Sequence, residues 1–175
     1  ERVGVRTAEK VNAGATLADV TPSERMARLK AEGNRFWKKK KYAKAADLYT
    51  QALAAFNMDG KGSRTETQEK EKEGQGTGAT EEVVTMSAED KGTLGSLYSN
   101  RSAAMHILGE HNKALSDAEK GISLDKTFVK MYHRKASALV SLGRKAEAKE
   151  AYVTAKTFES SEQVLAWIDR QIADI

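Results

Sequence analysis

The sequence predicts an all-α protein: three helical hairpins stacked in a right-handed superhelical array, closed by a C-terminal capping helix. Three observations carry this reading. The second half repeats itself at an offset of 34 residues, which lays Tyr98 on Tyr132, Gly109 on Gly143 and Ala114 on Ala148. A fixed period of that size marks stacked two-helix units. Apolar residues recur three and four apart over most of the chain, the spacing of one helix face. Pro22 is the only proline, so nothing beyond it interrupts a helix.

Residues 1–20 show no period and contain Gly4 and Gly14; they read as a loosely held N-terminal arm ahead of a single domain over 21–175. Thr21 is placed to cap the first helix, Pro22 suits its first position, and Glu24 can close a capping box. The first repeat spans 22–58. Its first helix runs from Pro22 to about Trp37, with Met26, Leu29, Gly33 and Phe36 in step. The Lys38–Lys41 run covers the turn and complements the helix dipole. The second helix runs from Tyr42 to about Asn57, with Ala45, Ala46, Tyr49, Ala52 and Leu53 on one face.

The next hairpin does not follow at once. Ala45 and Ala114 hold equivalent places but lie 69 residues apart, so about one repeat length is inserted between them. The insertion, 59–87, is rich in glycine and charge and has no apolar period, a composition that reads as flexible linker. Ser87, with Asp90 three residues on, is a candidate cap for an early start to the next helix. The second repeat spans 88–125, with helices at Ala88–Leu108 and His111–Leu124. The third spans 127–159, with helices at Thr127–Leu142 and Lys145–Phe158. Gly109 and Gly143 stand where each hairpin's first helix must stop in a left-handed residue. The capping helix, 161–175, carries Val164, Leu165, Trp167, Ile168 and Ile172 as its apolar stripe, with Trp167 expected to anchor it.

Composition narrows the function. With 39% hydrophobic and 31% charged residues among 175, the chain has the make-up of one helix-rich globular domain. It has no cysteine, hence no disulfide, thiolate metal site or cysteine nucleophile. Its three histidines, His106, His111 and His133, lack metal-like spacing and read as structural. No nucleophile–base set or phosphate loop is visible, so the expectation is a non-enzyme without metal or cofactor. Aromatic residues make up only 6% and no nucleic-acid reader module is recognisable. No apolar run approaches the roughly 20 residues of a membrane span. A cytoplasmic monomer is expected, and a chain that begins at Glu1 reads as an excised piece of a longer protein. The net charge of +4 is uneven: Asp59–Lys91 holds 5 basic and 9 acidic residues, a local −4 that leaves +8 on the remainder. A basic body favours an acidic partner.

In stacked hairpins of this kind the first helices line a concave groove. On the first helix Lys30, Asn34 and Trp37 share one side, at i, i+4 and i+7. Asn100, Ala103 and His106 or Ile107 do so on the third, and Lys130 and Arg134 stand one turn apart on the fifth. No acid is interleaved among the five polar residues. Ammonium, guanidinium and amide donors brought together suit a carboxylate, and two carboxylates better. Trp37 fits equally the kind of position that tryptophan fills as core.

The strings LKAEGNRFWKKKKYAKAADLYTQAL, LYSNRSAA and VKMYHRKASALVSLG resemble the tetratricopeptide domains of heat-shock co-chaperones. The resemblance covers Pro22 to about Glu159 apart from the insertion. It implies three tetratricopeptide hairpins and a carboxylate clamp for the C-terminal Glu-Glu-Val-Asp tails of chaperones of the ninety- and seventy-kilodalton classes. It assigns the clamp to Lys30, Asn34, Asn100, Lys130 and Arg134, and the border of the pocket for upstream ligand side chains to Trp37, Ala103, His106 and Ile107. This chain departs from the family in its insertion, in Lys40 at a turn that usually holds glycine, in lacking a proline after each repeat, and in His111 and Lys145 where an aromatic is common. The competing reading is a repeat scaffold that holds a different protein with the clamp unused. Glu81, Glu82, Val83 and Val84 echo the chaperone tail inside the insertion, but they lack the terminal aspartate and its carboxylates.

Overall fold

The computed structural model describes residues 21–57 and 88–175. The arm at 1–20, the insertion, the Ser87 cap and the Glu81–Val84 echo lie outside the described residues. Within them the chain forms seven helices: α1 (Pro22–Lys38), α2 (Tyr42–Asn57), α3 (Ala88–Ile107), α4 (His111–Leu124), α5 (Val129–Ser141), α6 (Lys145–Lys156) and α7 (Glu162–Ala173). α1 packs on α2, α3 on α4 and α5 on α6 as hairpins, and α2 meets α3, α4 meets α5 and α6 meets α7. The expected hairpins and capping helix are all present.

Local chemistry explains most of the boundaries. At the start of α1 the Thr21 hydroxyl accepts from the Glu24 backbone N–H at 3.3 Å, and the Glu24 carboxylate accepts from the Thr21 N–H at 3.1 Å. That is the reciprocal capping box. The first helix of each hairpin ends in the same way. Lys41, Glu110 and Arg144 donate their backbone N–H groups to Phe36, Met105 and Leu139, while Lys40, Gly109 and Gly143 donate to Trp37, His106 and Val140. Each is the paired bonding of a helix terminated by a left-handed residue. Gly109 and Gly143 have φ of 80° and 76°, and Lys40 holds the equivalent place at 58°. The third hairpin is shorter than expected at both ends, with α6 stopping at Lys156 instead of near Phe158. Its first helix begins at Val129, two residues later than Thr127, because the Asp125 carboxylate accepts from both the backbone N–H (2.8 Å) and the hydroxyl (2.7 Å) of Thr127. This local turn withholds Thr127 from the helix.

The core lies in two connected bodies. Met26, Tyr49, Leu53, Phe56, Leu94 and Leu97 fill the space under α1, α2 and α3. Tyr132, Leu139, Tyr152 and Ile168, with a floor of alanines, fill the space between α4 and α7. Between them Arg101 on α3 donates twice to Asp117 on α4, at 2.8 and 2.6 Å, and once to Thr50 on α2 at 3.1 Å. Asp117 is 4% exposed, and the bidentate partner is what allows a carboxylate there. Small residues set the hairpin spacing. A Cβ on Gly33 would sit 2.6 Å from the Tyr49 ring, so only glycine lets α1 come this close to α2. On α7 the anchor is Ile168, 1% exposed, whereas Trp167 is 38% exposed. Trp167 lies edge-on against His133, with ring centroids 4.8 Å apart, and closes over the α5–α6 seam instead of plugging it.

Candidate peptide-binding site

The odd helices bring their polar faces together in one cleft. Asn34 and Trp37 come from α1, Asn100 and Ala103 from α3, and Lys130 and Arg134 from α5, with Tyr49 of α2 beneath; the recess encloses about 130 Å³. Four of the five expected clamp residues therefore meet. The fifth, Lys30, sits one turn from Asn34 and reaches across to α3, where its ammonium donates to the Ser96 hydroxyl. Ser96 in turn donates to the Thr93 carbonyl at 2.7 Å, so Lys30 is aimed by a fixed acceptor.

The amides form a short chain. Asn34 Oδ1 accepts from the Tyr49 hydroxyl at 2.8 Å and from Asn100 Nδ2 at 3.2 Å. Trp37 serves both roles its position allowed. It packs on the first core body and lines the cleft, with its ring edge-on to Tyr42 at 5.0 Å. The pair recurs 69 residues on as His106 and His111, with ring centroids 5.1 Å apart. Ala103 forms part of the cleft wall. His106 and Ile107 do not line the recess: they occupy the last turn of α3, with Ile107 half exposed.

Electrostatics give the cleft its character. No carboxylate lines it, and none of the ion pairs among the described residues involves Lys30, Lys130 or Arg134. Burial pushes the pKa of Lys30 and of Arg134 below the usual values. Lys130 keeps much of its length in solvent, yet partial burial of its head and then the Arg134 charge lower it as well. The buried Nε of Arg134 has no hydrogen-bond partner. Desolvated cations lacking a counter-ion and a donor lacking an acceptor describe a place where an anion relieves two costs at once. His106 is lowered too, by burial, then His111, then Arg134. Among the described residues no group of three or more His, Asp or Glu side chains has metal-site geometry, and no helix is long and apolar enough to cross a membrane.

Comparison with known proteins agrees with this architecture. The tetratricopeptide repeat family model matches residues 129–161, the third hairpin. The first repeat domain of Spaghetti (RPAP3), solved bound to the HSP90 peptide SRMEEVD, superposes with a TM-score of 0.56 at 22% identity, covering 86% of this chain and 98% of that one. The chain has the tetratricopeptide-repeat fold. Curated relatives share the domain within longer proteins. The heat-shock protein cognate co-chaperone sgt12 of Aspergillus fumigatus is 30% identical over 131 residues, 75% of this chain and 28% of the relative. The Hsp70/Hsp90 co-chaperone CNS1 of Saccharomyces cerevisiae is 26% identical over 130 residues, 74% of this chain and 26% of the relative. The tetratricopeptide domain thus spans roughly a quarter of the length of these relatives.

Two contributors escaped sequence reasoning. Tyr49 looked like core because it is core; its hydroxyl meets Asn34 only through the close approach at Gly33. Ser96 did carry a signal, since it stands 34 residues before Lys130 in the repeat register.

Proposed function

We propose that this tetratricopeptide domain is a non-catalytic peptide-binding module of co-chaperone type, which captures the free C-terminus of chaperones of the ninety- and seventy-kilodalton classes ending in Glu-Glu-Val-Asp. The observation that carries this is the cleft between α1, α3 and α5, where Arg134 is half-buried with an unpartnered Nε beside Lys130 and two amides, and no acid is present. Lys30, Asn34, Asn100, Lys130 and Arg134 hold the two carboxylates of the terminal aspartate. Trp37 and Ala103 form the near wall, while His106 and Ile107 meet residues further upstream. That relatives are named as co-chaperones and that a structural neighbour holds an HSP90 tail support the reading. The domain works in the cytoplasm as a monomer and needs no cofactor.

Isothermal calorimetry with the free-acid peptide SRMEEVD and its C-terminally amidated form tests this. Micromolar affinity is expected for the acid, with at least a tenfold loss on amidation and on Lys130→Ala or Arg134→Ala, since a charged hydrogen-bonded contact is worth about 1.5–3 kcal/mol. Equal affinity for acid and amide would refute the clamp.

A further inference from the structure

Asn34 is one of two clamp residues whose chemistry depends on orientation, because its amide, like that of Asn100, can show the cleft either an acceptor or two donors. Within the cleft Asn34 Oδ1 is already engaged twice, by the Tyr49 hydroxyl at 2.8 Å and by Asn100 Nδ2 at 3.2 Å. A carbonyl oxygen has two lone pairs, so the oxygen is saturated and Nδ2 is what remains for a ligand. Tyr49 is 1% exposed and burial raises its pKa, so it stays a neutral phenol and keeps its proton to donate. Its ring is held where it is by Gly33, where any Cβ would meet Tyr49 Cε1 at 2.6 Å.

We propose that Tyr49 is a positioning residue that sets the orientation of the Asn34 amide, so that Asn34 offers the cleft donors alone and favours a free carboxylate over a carboxamide. The inference rests on the peptide-binding reading given above and names the residue that makes the site selective. A carboxylate is an acceptor only, whereas a carboxamide brings an NH2 group of its own. Facing the Asn34 NH2 and the cationic donors, both oxygens of the acid accept, whereas an amide can turn its one oxygen to only one side and must set its NH2 against a donor on the other. With Asn34 turned over the preference at that contact reverses. Tyr49 touches no ligand in this arrangement; it acts through Asn34. Gly33 acts one step further back, through the packing of α1 on α2.

The test is Tyr49→Phe, which keeps the ring and removes the hydroxyl. Affinities for SRMEEVD as free acid and as amide are measured on wild type and variant, together with the thermal midpoint. Without the hydroxyl, Asn34 Oδ1 keeps only the longer bond from Asn100 Nδ2, and the amide turns over more readily. The expected outcome is a fall of about three- to tenfold in free-acid affinity, the range of one hydrogen bond, with the amide nearly unchanged, so that the acid-to-amide ratio shrinks by the same factor. A general loosening of the fold lowers both affinities together and leaves the ratio alone. An unchanged ratio in a folded Tyr49→Phe overturns the proposal while leaving the clamp intact; a wild type that does not discriminate acid from amide overturns both. Side-chain amide signals in nitrogen-15 edited spectra give a second readout on the unmodified protein. The Asn34 Nδ2 protons should shift when the free acid saturates the site, and failure to move also overturns the proposal. Gly33→Ala, which displaces the Tyr49 ring, should reproduce the loss of ratio with a lowered midpoint.

Discussion

Acidification should weaken this domain chiefly through His133. The imidazole lies on α5 between α6 and α7, with Nδ1 3.1 Å from the Tyr152 hydroxyl, its edge against Trp167, and Ser137 one turn on. Burial, then the charges of Arg134, His106 and Lys130, lower its pKa from 6.5 to about 4. The folded state therefore binds the His133 proton less tightly than the unfolded chain does. Stability from this group is complete above the unfolded value near 6.5 and drains away as pH falls towards 4, because the unfolded state takes up the proton first. With those two values the loss amounts to about 2 kcal/mol at pH 5, approaching about 3 kcal/mol below pH 4. Urea denaturation of wild type and His133→Asn at pH 7, 6 and 5 measures it. The variant is less stable throughout, having lost the ring contacts, but it has no proton to gain at this position. Wild type should lose about 2 kcal/mol more than the variant between pH 7 and pH 5. Other titrating groups are common to both proteins and cancel in the comparison. Parallel stability curves would refute the assignment of a neutral, desolvated imidazole to this seam.

Lys40 holds φ of 58° where the two later repeats use glycine, and a side chain in that region costs about 1–2 kcal/mol. Lys40→Gly should therefore stabilise the domain by about 0.5–1 kcal/mol after the extra unfolded-state entropy of glycine, read as a higher denaturation midpoint; an unchanged or lower midpoint argues against strain at this turn. Tail binding should also respond to pH through His106. Its pKa is lowered in the free domain by burial, then His111, then Arg134, and an anionic ligand beside Arg134 offsets part of that repulsion. A group whose pKa rises on binding takes up protons, so affinity should increase as pH falls from 7.5 to 6. Calorimetry in buffers of different ionisation enthalpy detects the uptake, and His106→Gln should flatten it.

The periodic part of this molecule was open to sequence reasoning because hydrophobic spacing and turn chemistry are local. The capping box at Thr21, the left-handed glycines at 109 and 143, and the starts of α1, α2, α4 and α6 followed from neighbours within one turn. The exception at α5 has the same origin: Asp125 competes for Thr127 at a range of two residues, and side-chain competition of this kind leaves no trace in an apolar period. The cleft divides along the same line. Repeat register alone suffices to align Asn100 with Arg134, since both follow from helix phase. The bonds that orient these groups, Lys30 to Ser96 and Asn34 to Tyr49 and Asn100, join residues 66, 15 and 66 positions apart. They exist only once the hairpins have closed. Trp167 shows the limit in another form: its bulk suggested an anchor, yet the smaller Ile168 fits the seam that α5 and α6 leave.

The part-buried cations of the molecule are of two kinds, one met by a carboxylate and the other not. Where a cation is structural, as at Arg101, the fold supplies Asp117 on the facing helix and satisfies it bidentately. Lys135, Arg144 and Lys156 likewise meet Glu119, Glu147 and Asp169 on outer surfaces. Lys30, Lys130 and Arg134 receive none of this, although acids are plentiful elsewhere in the chain. Holding them part-desolvated costs stability, and the Ser96 hydroxyl orients Lys30 without cancelling its charge. A neutral orienting shell keeps the full field available to an incoming anion, whereas an internal carboxylate would have to be displaced first. Arg101 and Arg134 are both part-buried guanidinium groups: the fold supplies Asp117 to the first and no carboxylate to the second, which leaves the partner of Arg134 to be supplied by an anionic ligand.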